Sequence, residues 1–267
     1  MDARDFSTVT ELPGRTIGRD QFEVICRRYA FAAQFVEGKR ILEVGCGAGL
    51  GLGFLAKRAR YVIGGEVTMP TLRRASATYA GRPALKLIQL DAHALPFTDG
   101  TVDAVLALAV IYYLDLAAFL RECRRVLAPG GVLIFCTANK GLPGFRPSRF
   151  STRYYSIPEL AAVLSQQGFA VEFFGGFPVR KGSARLVDRA TALGGTILAA
   201  LPMRPDLRDR LRVAISRAAR YERSFLDGEL SEQDVSGVTD LPLSPIPDDR
   251  PNDAYRVLYG VARPHQA

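Results

Sequence analysis

Five glycines alternate along the stretch ILEVGCGAGLGLGFLA: Gly45, Gly47, Gly49, Gly51 and Gly53. A glycine inside regular structure costs ~1 kcal/mol relative to alanine, so such a run marks a place that needs bare backbone. An apolar strand-like stretch leads in and a helix-like stretch follows. That is where an open α/β sheet binds its ligands. The spacing is G-x-G-x-G. The third glycine of a G-x-G-x-x-G fingerprint would fall on Leu50, Leu52 or Phe54 in the three registers. The pattern that seats a pyrophosphate on a helix N-terminus is therefore missing, and what remains is a tight turn whose backbone can lie against a ligand.

Two carboxylates follow at strand-like ends. Glu66 stands 21 residues after Gly45, a distance that suits acceptance of hydrogen bonds from two ribose hydroxyls. Asp91, in LDAHALPF, could accept from an exocyclic amine while the Ala92 N–H meets a ring nitrogen. The ligand so outlined carries a ribose and an adenine and needs no phosphate. Tyr112 and Tyr113 follow the fourth strand-like segment, and His93 is one of only two histidines. Each is a candidate for contact with a reacting group, and each could equally pack or face solvent. Nothing beside Cys46 in the sequence would lower its pKa, so it is not expected to be a nucleophile.

These residues must be positioned by alternating elements. Residues 20–36 have helical spacing, with Phe22, Ile25, Tyr29, Ala32, Ala33 and Val36 on one face. RILEVG, YVIGGE, LKLIQLD, VDAVLALAV, GVLIFCTA, AVEFFGG and YRVLYGVARP read as seven strands. Helices are expected over about 50–57 and 70–79, through LAAFLRECRRVL up to the turn APGG, and over SIPELAAVLSQQGF, with Ser156 as cap and Gly168 at its end. Apolar strands alternating with amphipathic helices imply a doubly wound, Rossmann-like α/β sheet. The alternation breaks between the sixth and seventh strands.

ILEVGCGAG, GGEV, LDAHALPF and FLRECRRVLAPGGVLIF stand in order, and together they resemble the motifs of class I S-adenosylmethionine-dependent methyltransferases of the small-molecule, type 11 kind. The resemblance covers about 37–175 and the last strand. It implies a seven-stranded sheet with an antiparallel last strand, and S-adenosylmethionine as cofactor. It implies that Gly45, Gly47 and Gly49, with Cys46, pass the methionyl part. Glu66 would bind ribose, Asp91 and Ala92 adenine, and Val67 would also contact the cofactor. Glu43, Leu108 and Ala109 would complete the wall. Many relatives carry an acid where Ala109 stands and an acid and a histidine at Tyr112 and Tyr113, so the usual general base is missing here. The implied activity is methyl transfer to the oxygen or nitrogen of a small molecule. A lipid-linked acceptor, or a regulatory protein that binds the cofactor without catalysis, stays open beside it.

The organisation expected is an N-terminal helical cap (1–36), a cofactor-binding domain (37–178 with 254–264) and a basic helical insertion acting as a lid (179–253). The chain has 267 residues and a net charge of +8, of which +7 lies between Arg180 and Arg223. That segment could recognise an acidic acceptor, rest on an anionic membrane or merely face solvent. No nucleic-acid module accompanies it, and no metal cluster is visible; a homodimer stays open. The polar N-terminus and four scattered cysteines suit a reduced, cytoplasmic setting.

Overall fold

A computed structural model describes residues 5–179, 223–226, 228–238 and 243–265. Its eight-stranded sheet comprises β2 (Arg40–Val44), β3 (Tyr61–Glu66), β4 (Leu85–Gln89), β5 (Val102–Leu108), β6 (Leu127–Ala138), β7 (Phe169–Pro178), β9 (Ser244–Ile246) and β10 (Tyr255–Pro264). The strand order is β4-β3-β2-β5-β6-β10-β7-β9. Parallel pairing runs from β4 to β6, and β10 enters antiparallel between β6 and β7. The seven expected strands are thus present, and an eighth, β9, extends the edge. β9 forms within the segment LPLSPIPDDRP, whose many prolines favour a loop; Pro245 is tolerated because an edge strand needs few ladder donors. A second, two-stranded sheet joins β1 (Thr16–Gly18) to β8 (Arg223–Phe225).

The helices are α1 (Arg19–Ala33), α2 (Leu52–Ala56), α3 (Met69–Tyr79), α4 (Leu116–Val126), α5 (Ile157–Gln166) and α6 (Glu232–Ser236). α5 begins with the expected cap: the Ser156 side chain and Glu159 form a reciprocal capping box. Gly168, at φ +78°, ends it. One boundary differs from the sequence reading. The segment APGG does not separate α4 from β6 as a free turn, because Leu127 already pairs with Val102 and the strand absorbs the glycines at a register shift.

Period-two burial builds one core on each face of the sheet. Ala104, Leu106 and Leu108 of β5, with Val132, Ile134 and Cys136 of β6, pack towards α1, α2 and α3. Val105, Ala107, Leu133 and Phe135 pack towards α4 and α5. Leu226, Leu230, Val235 and Val238 join the first core, so the end of the expected insertion is built into it. The sequence also spaces Leu186, Ala190, Leu193, Ile197 and Leu201 as an apolar stripe, and that stretch and most of the basic segment lie outside the described residues. No helix among the described residues is long and apolar enough to cross a membrane.

Candidate active site

One cavity of about 820 Å³ opens at the C-terminal ends of β2, β3, β4 and β5, within the range of small-molecule sites. Glu43, Gly45, Cys46, Gly47, Glu66, Val67, Asp91, Ala92, Leu108 and Ala109 all line it, as do His93, Tyr112 and Tyr113. The structure therefore brings together every expected site residue except Gly49.

The glycine turn runs from β2 to α2. The N–H groups of Gly45 and Cys46 both donate to the Gly65 carbonyl, at 2.8 and 3.0 Å, which ties the turn to β3. Gly47 sits at φ +58°, and a Cβ there would lie 2.8 Å from the Thr10 methyl carbon. The other glycines serve packing. A Cβ at Gly49 would lie 2.8 Å from the Tyr79 ring, and the Gly49 carbonyl accepts from the Tyr79 hydroxyl behind the cavity wall. A Cβ at Gly51 would enter the Tyr29 ring, and one at Gly53 would meet the Glu229 carboxylate.

At one end of the cavity stand the two expected acids. Glu66 is buried and accepts from the Gly47 N–H (3.1 Å, Oε2) and the Thr68 N–H (2.8 Å, Oε1). A carboxylate has about four acceptor positions, so each oxygen keeps one for a vicinal diol while the backbone fixes its aim. Asp91 accepts from the His93 N–H (2.9 Å) and Nδ1 (2.7 Å) through the same oxygen, Oδ1. His93 Nε2 accepts from the Asp115 N–H at 3.0 Å, at the start of α4. That bond fixes the proton on Nδ1 and engages both ring nitrogens. His93 is thus a strut between Asp91 and α4, and no ring nitrogen is left to act as a base.

Glu43 and Arg28 also line the cavity. Glu43 is 1% exposed and accepts from the Tyr29 hydroxyl at 2.8 Å. Its second oxygen, Oε2, has no partner. Burial pushes the Glu43 carboxyl up to about 7, against the pull of the Tyr29 hydrogen bond and the Arg28 charge. Arg28, on α1, is 6% exposed and lines the same cavity. Its Nη2 lies 3.3 Å from Glu11 Oε2, and its Nε has no partner. Burial opposes the Arg28 charge, and Glu11, Tyr29, Cys136 and Glu43 together outweigh that opposition. The cavity lining thus holds an unpartnered carboxylate oxygen, Glu43 Oε2, and an unpartnered guanidinium nitrogen, Arg28 Nε. A zwitterion satisfies both at once.

Beyond them the wall is aromatic. Phe6 meets Tyr113 edge-on at 5.3 Å, Tyr112 lies 4.5 Å from Tyr113, and Tyr154 stacks on Tyr112 at 4.4 Å. The Tyr113 hydroxyl pairs with Ser148 Oγ at 2.7 Å. Burial pushes both the Tyr112 and the Tyr113 hydroxyl up, so they remain proton donors at neutral pH. Ala109 holds φ +62°, a left-handed conformation that a non-glycine residue adopts only where its surroundings impose it. Burial likewise pushes the Cys46 thiol well up, in keeping with an unreactive cysteine.

Phe6, Glu11 and Arg28 were not identified from sequence. Arg28 had a signal: it stands three residues after Ile25, on the apolar face of its helix, where a charged residue is rarely placed without a partner.

Residues 42–135 match the family model described as a methyltransferase domain. A probable S-adenosylmethionine-dependent methyltransferase of Mycolicibacterium smegmatis is 37% identical over 157 residues, 56% of this chain and 58% of that protein. A fatty-acid O-methyltransferase of the same organism is 40% identical over 108 residues, 39% of this chain and 38% of that one. The chain thus spans about three-fifths of the first relative's length and less of the second. A solved S-adenosylmethionine-dependent methyltransferase from Aquifex aeolicus shares the fold, with a TM-score of 0.51 at 22% identity, over 59% of this chain and 86% of that one. Residues 42–135 thus carry a methyltransferase domain, and the relatives that match around it are named S-adenosylmethionine-dependent methyltransferases.

Proposed function

We propose that this chain transfers a methyl group from S-adenosylmethionine to an oxygen of a small, largely apolar acceptor. One observation carries the cofactor half. A single cavity holds two strand-end carboxylates, Glu66 and Asp91, and the opposed pair Glu43 and Arg28. A nucleoside joined to an α-amino acid suits that arrangement. Glu66 and Asp91 would hold the ribose and the adenine; Glu43 would accept from the ammonium group and Arg28 would donate to the carboxylate. Bound there, S-adenosylmethionine supplies a methyl group already activated by a positive sulfur. The protein's own task is to align an acceptor and keep water out.

The acceptor half rests on the wall of Phe6, Tyr112 and Tyr113, which suits an apolar or aromatic body. A similar protein named as a fatty-acid O-methyltransferase and another named as a ubiquinone biosynthesis O-methyltransferase are in keeping with oxygen as the target. Asp5, Phe6, Val9, Thr10 and Glu11 line the cavity, which supports a cap over 1–36. The end of the 179–253 insertion is clasped to the 37–178 domain by Arg58–Glu232, Arg82–Glu229 and the bond from Leu230 N–H to the Leu50 carbonyl. These contacts favour a lid anchored at its C-terminal end. Its basic part, 180–223, is proposed to meet the acceptor or the membrane that holds it.

Calorimetry with S-adenosylhomocysteine, 5′-methylthioadenosine and NAD tests the cofactor reading. The first should bind most tightly, the second more weakly because it lacks the amino acid, and the third should show no heat. NAD binding with none for S-adenosylhomocysteine would refute it.

A further inference from the structure

We infer that His93 is a positioning residue that works at both ends of its ring. At one end it aims Asp91 at the exocyclic amine of the adenine. At the other it carries the occupancy of that subsite to the turn that bears Tyr112 and Tyr113. The inference rests on the methyltransferase reading above and deepens its adenine subsite.

The two acids of the nucleoside end are held in different ways. Glu66 is buried, and the Gly47 and Thr68 N–H groups fix both of its oxygens. Asp91 follows β4, the outermost strand of the sheet, which pairs with β3 alone. Its side chain is 36% exposed, so packing by itself leaves the carboxylate free to turn. His93 removes that freedom. Its backbone N–H and its Nδ1–H both donate to Asp91 Oδ1, at 2.9 and 2.7 Å. The backbone bond is one that many aspartate turns make; the second bond needs a donor on the side chain at 93. With Oδ1 engaged twice, Oδ2 has no hydrogen bond among the described residues and is the oxygen left for the amine.

The ring is in turn anchored to α4. Its Nε2 accepts from the Asp115 N–H at 3.0 Å, and the Asp115 carboxylate caps the helix through the Ala118 N–H. At the far end of α4, Glu122 accepts from the Leu95 N–H at 2.7 Å, and Arg125 donates to the Leu95 and Phe97 carbonyls at 2.9 and 2.6 Å. The segment after β4 therefore takes its support from α4, where the sheet offers it a single neighbour. Among these ties, the His93 ring is the one that reaches a carboxylate of the cavity.

The same anchor adjoins the aromatic wall. Ile111–Tyr113 form one turn of 3-10 helix, closed by bonds from the Tyr113 N–H to the Val110 carbonyl and from the Leu114 N–H to the Ile111 carbonyl. Asp115, whose amide His93 holds, comes directly after Leu114, the residue that ends this turn. Tyr112 and Tyr113 of the turn line the cavity. An amine on Asp91 Oδ2 steadies the carboxylate. The carboxylate steadies the imidazole through Nδ1–H, and the imidazole steadies the Asp115 amide through Nε2. Coupling of this kind is reciprocal, so whatever steadies the tyrosine turn also favours the adenine.

Calorimetry with S-adenosylhomocysteine and S-inosylhomocysteine tests the first end. The second compound carries a carbonyl oxygen in place of the amine, so it would set two acceptors face to face at Asp91. Wild type should prefer the adenine compound. His93→Phe and His93→Leu, which keep apolar bulk and neither nitrogen, should lower that preference ~10-fold. His93→Asn, whose amide keeps a donor where Nδ1 stands, should recover part of it. The ratio of two affinities is read, so a general loss of stability does not imitate the effect. Amide hydrogen exchange tests the second end. Saturating S-adenosylhomocysteine should slow exchange over residues 111–116 in wild type and leave it unchanged in His93→Asn, which has lost the acceptor for the Asp115 N–H. An unchanged affinity ratio in the Phe and Leu variants would show that the ring only packs. Equal slowing in wild type and His93→Asn would cut the link to the tyrosine turn. Either result overturns the inference. A wild type that binds neither compound would refute the cofactor reading instead.

Discussion

Glu43 should release a proton when the amino-acid end of the cofactor binds. In the free protein, burial raises its carboxyl from 4.5 to about 7, a displacement worth ~3 kcal/mol. For an acid raised in this way, the stabilised form is the protonated one. Its contribution to stability is complete below about pH 4.5, declines as pH rises towards about 7, and is gone above that. An ammonium group placed at Glu43 Oε2 reverses the balance by favouring the carboxylate. At about pH 6, a unit below the raised value, binding should therefore expel roughly 0.9 proton. Calorimetry in several buffers at that pH reads this number as the slope of apparent enthalpy against buffer ionisation enthalpy. S-adenosylhomocysteine should give a slope near one proton released, and 5′-methylthioadenosine a slope near zero. Glu43→Gln should abolish the difference and flatten the decline of thermal stability between pH 5 and 7. Equal slopes for the two ligands in wild type would refute the assignment of Glu43 to the ammonium group.

Glu66→Ala should weaken S-adenosylhomocysteine binding about ten-fold or more, since it removes a charge-assisted contact worth ~1.5–3 kcal/mol; calorimetry checks this, with circular dichroism to confirm the fold. Gly47→Val should do worse in the same assay, because a β-branched residue at φ +58° is strained and would press on Thr10. Leu230→Ala should lower the stability of the folded chain by ~2–5 kcal/mol in urea denaturation, because Leu230 is 3% exposed within the first core.

What was legible in the sequence was what neighbours dictate. The seven principal strands, the glycine turn and the two strand-end acids are set by local periodicity and spacing, and each stands where that spacing put it. The rest depends on distant partners. Tyr29, at the far side of a helix, explains why Gly51 has no side chain, and Tyr79 explains Gly49. His93 looked reactive because its bond to the Asp115 N–H joins residues 22 apart, which no local pattern announces. Glu11 and Phe6 enter the site because the N-terminal segment crosses the sheet, and β9 exists only because β7 offers it an edge. Arg28 falls between the two cases: its place on an apolar face could be read, but its partners could not.

The placement of β10 bears on how the molecule assembles. Leu258 pairs with Thr137 on one side and Gly175 on the other, so the strand is a wedge between β6 and β7 rather than an addition at an edge. Until residues 255–264 arrive, β7 has no neighbour joining it to the rest of the sheet, and β6 presents an open row of amides and carbonyls. A growing chain emerging from the ribosome therefore holds β2 to β6 as a half-sheet through the synthesis of residues 179–254. Closure is a long-range event, slow by its topology and open meanwhile to pairing with other chains. Refolding should be limited by that insertion, with a slow phase that protects the amides of β6, β7 and β10 together.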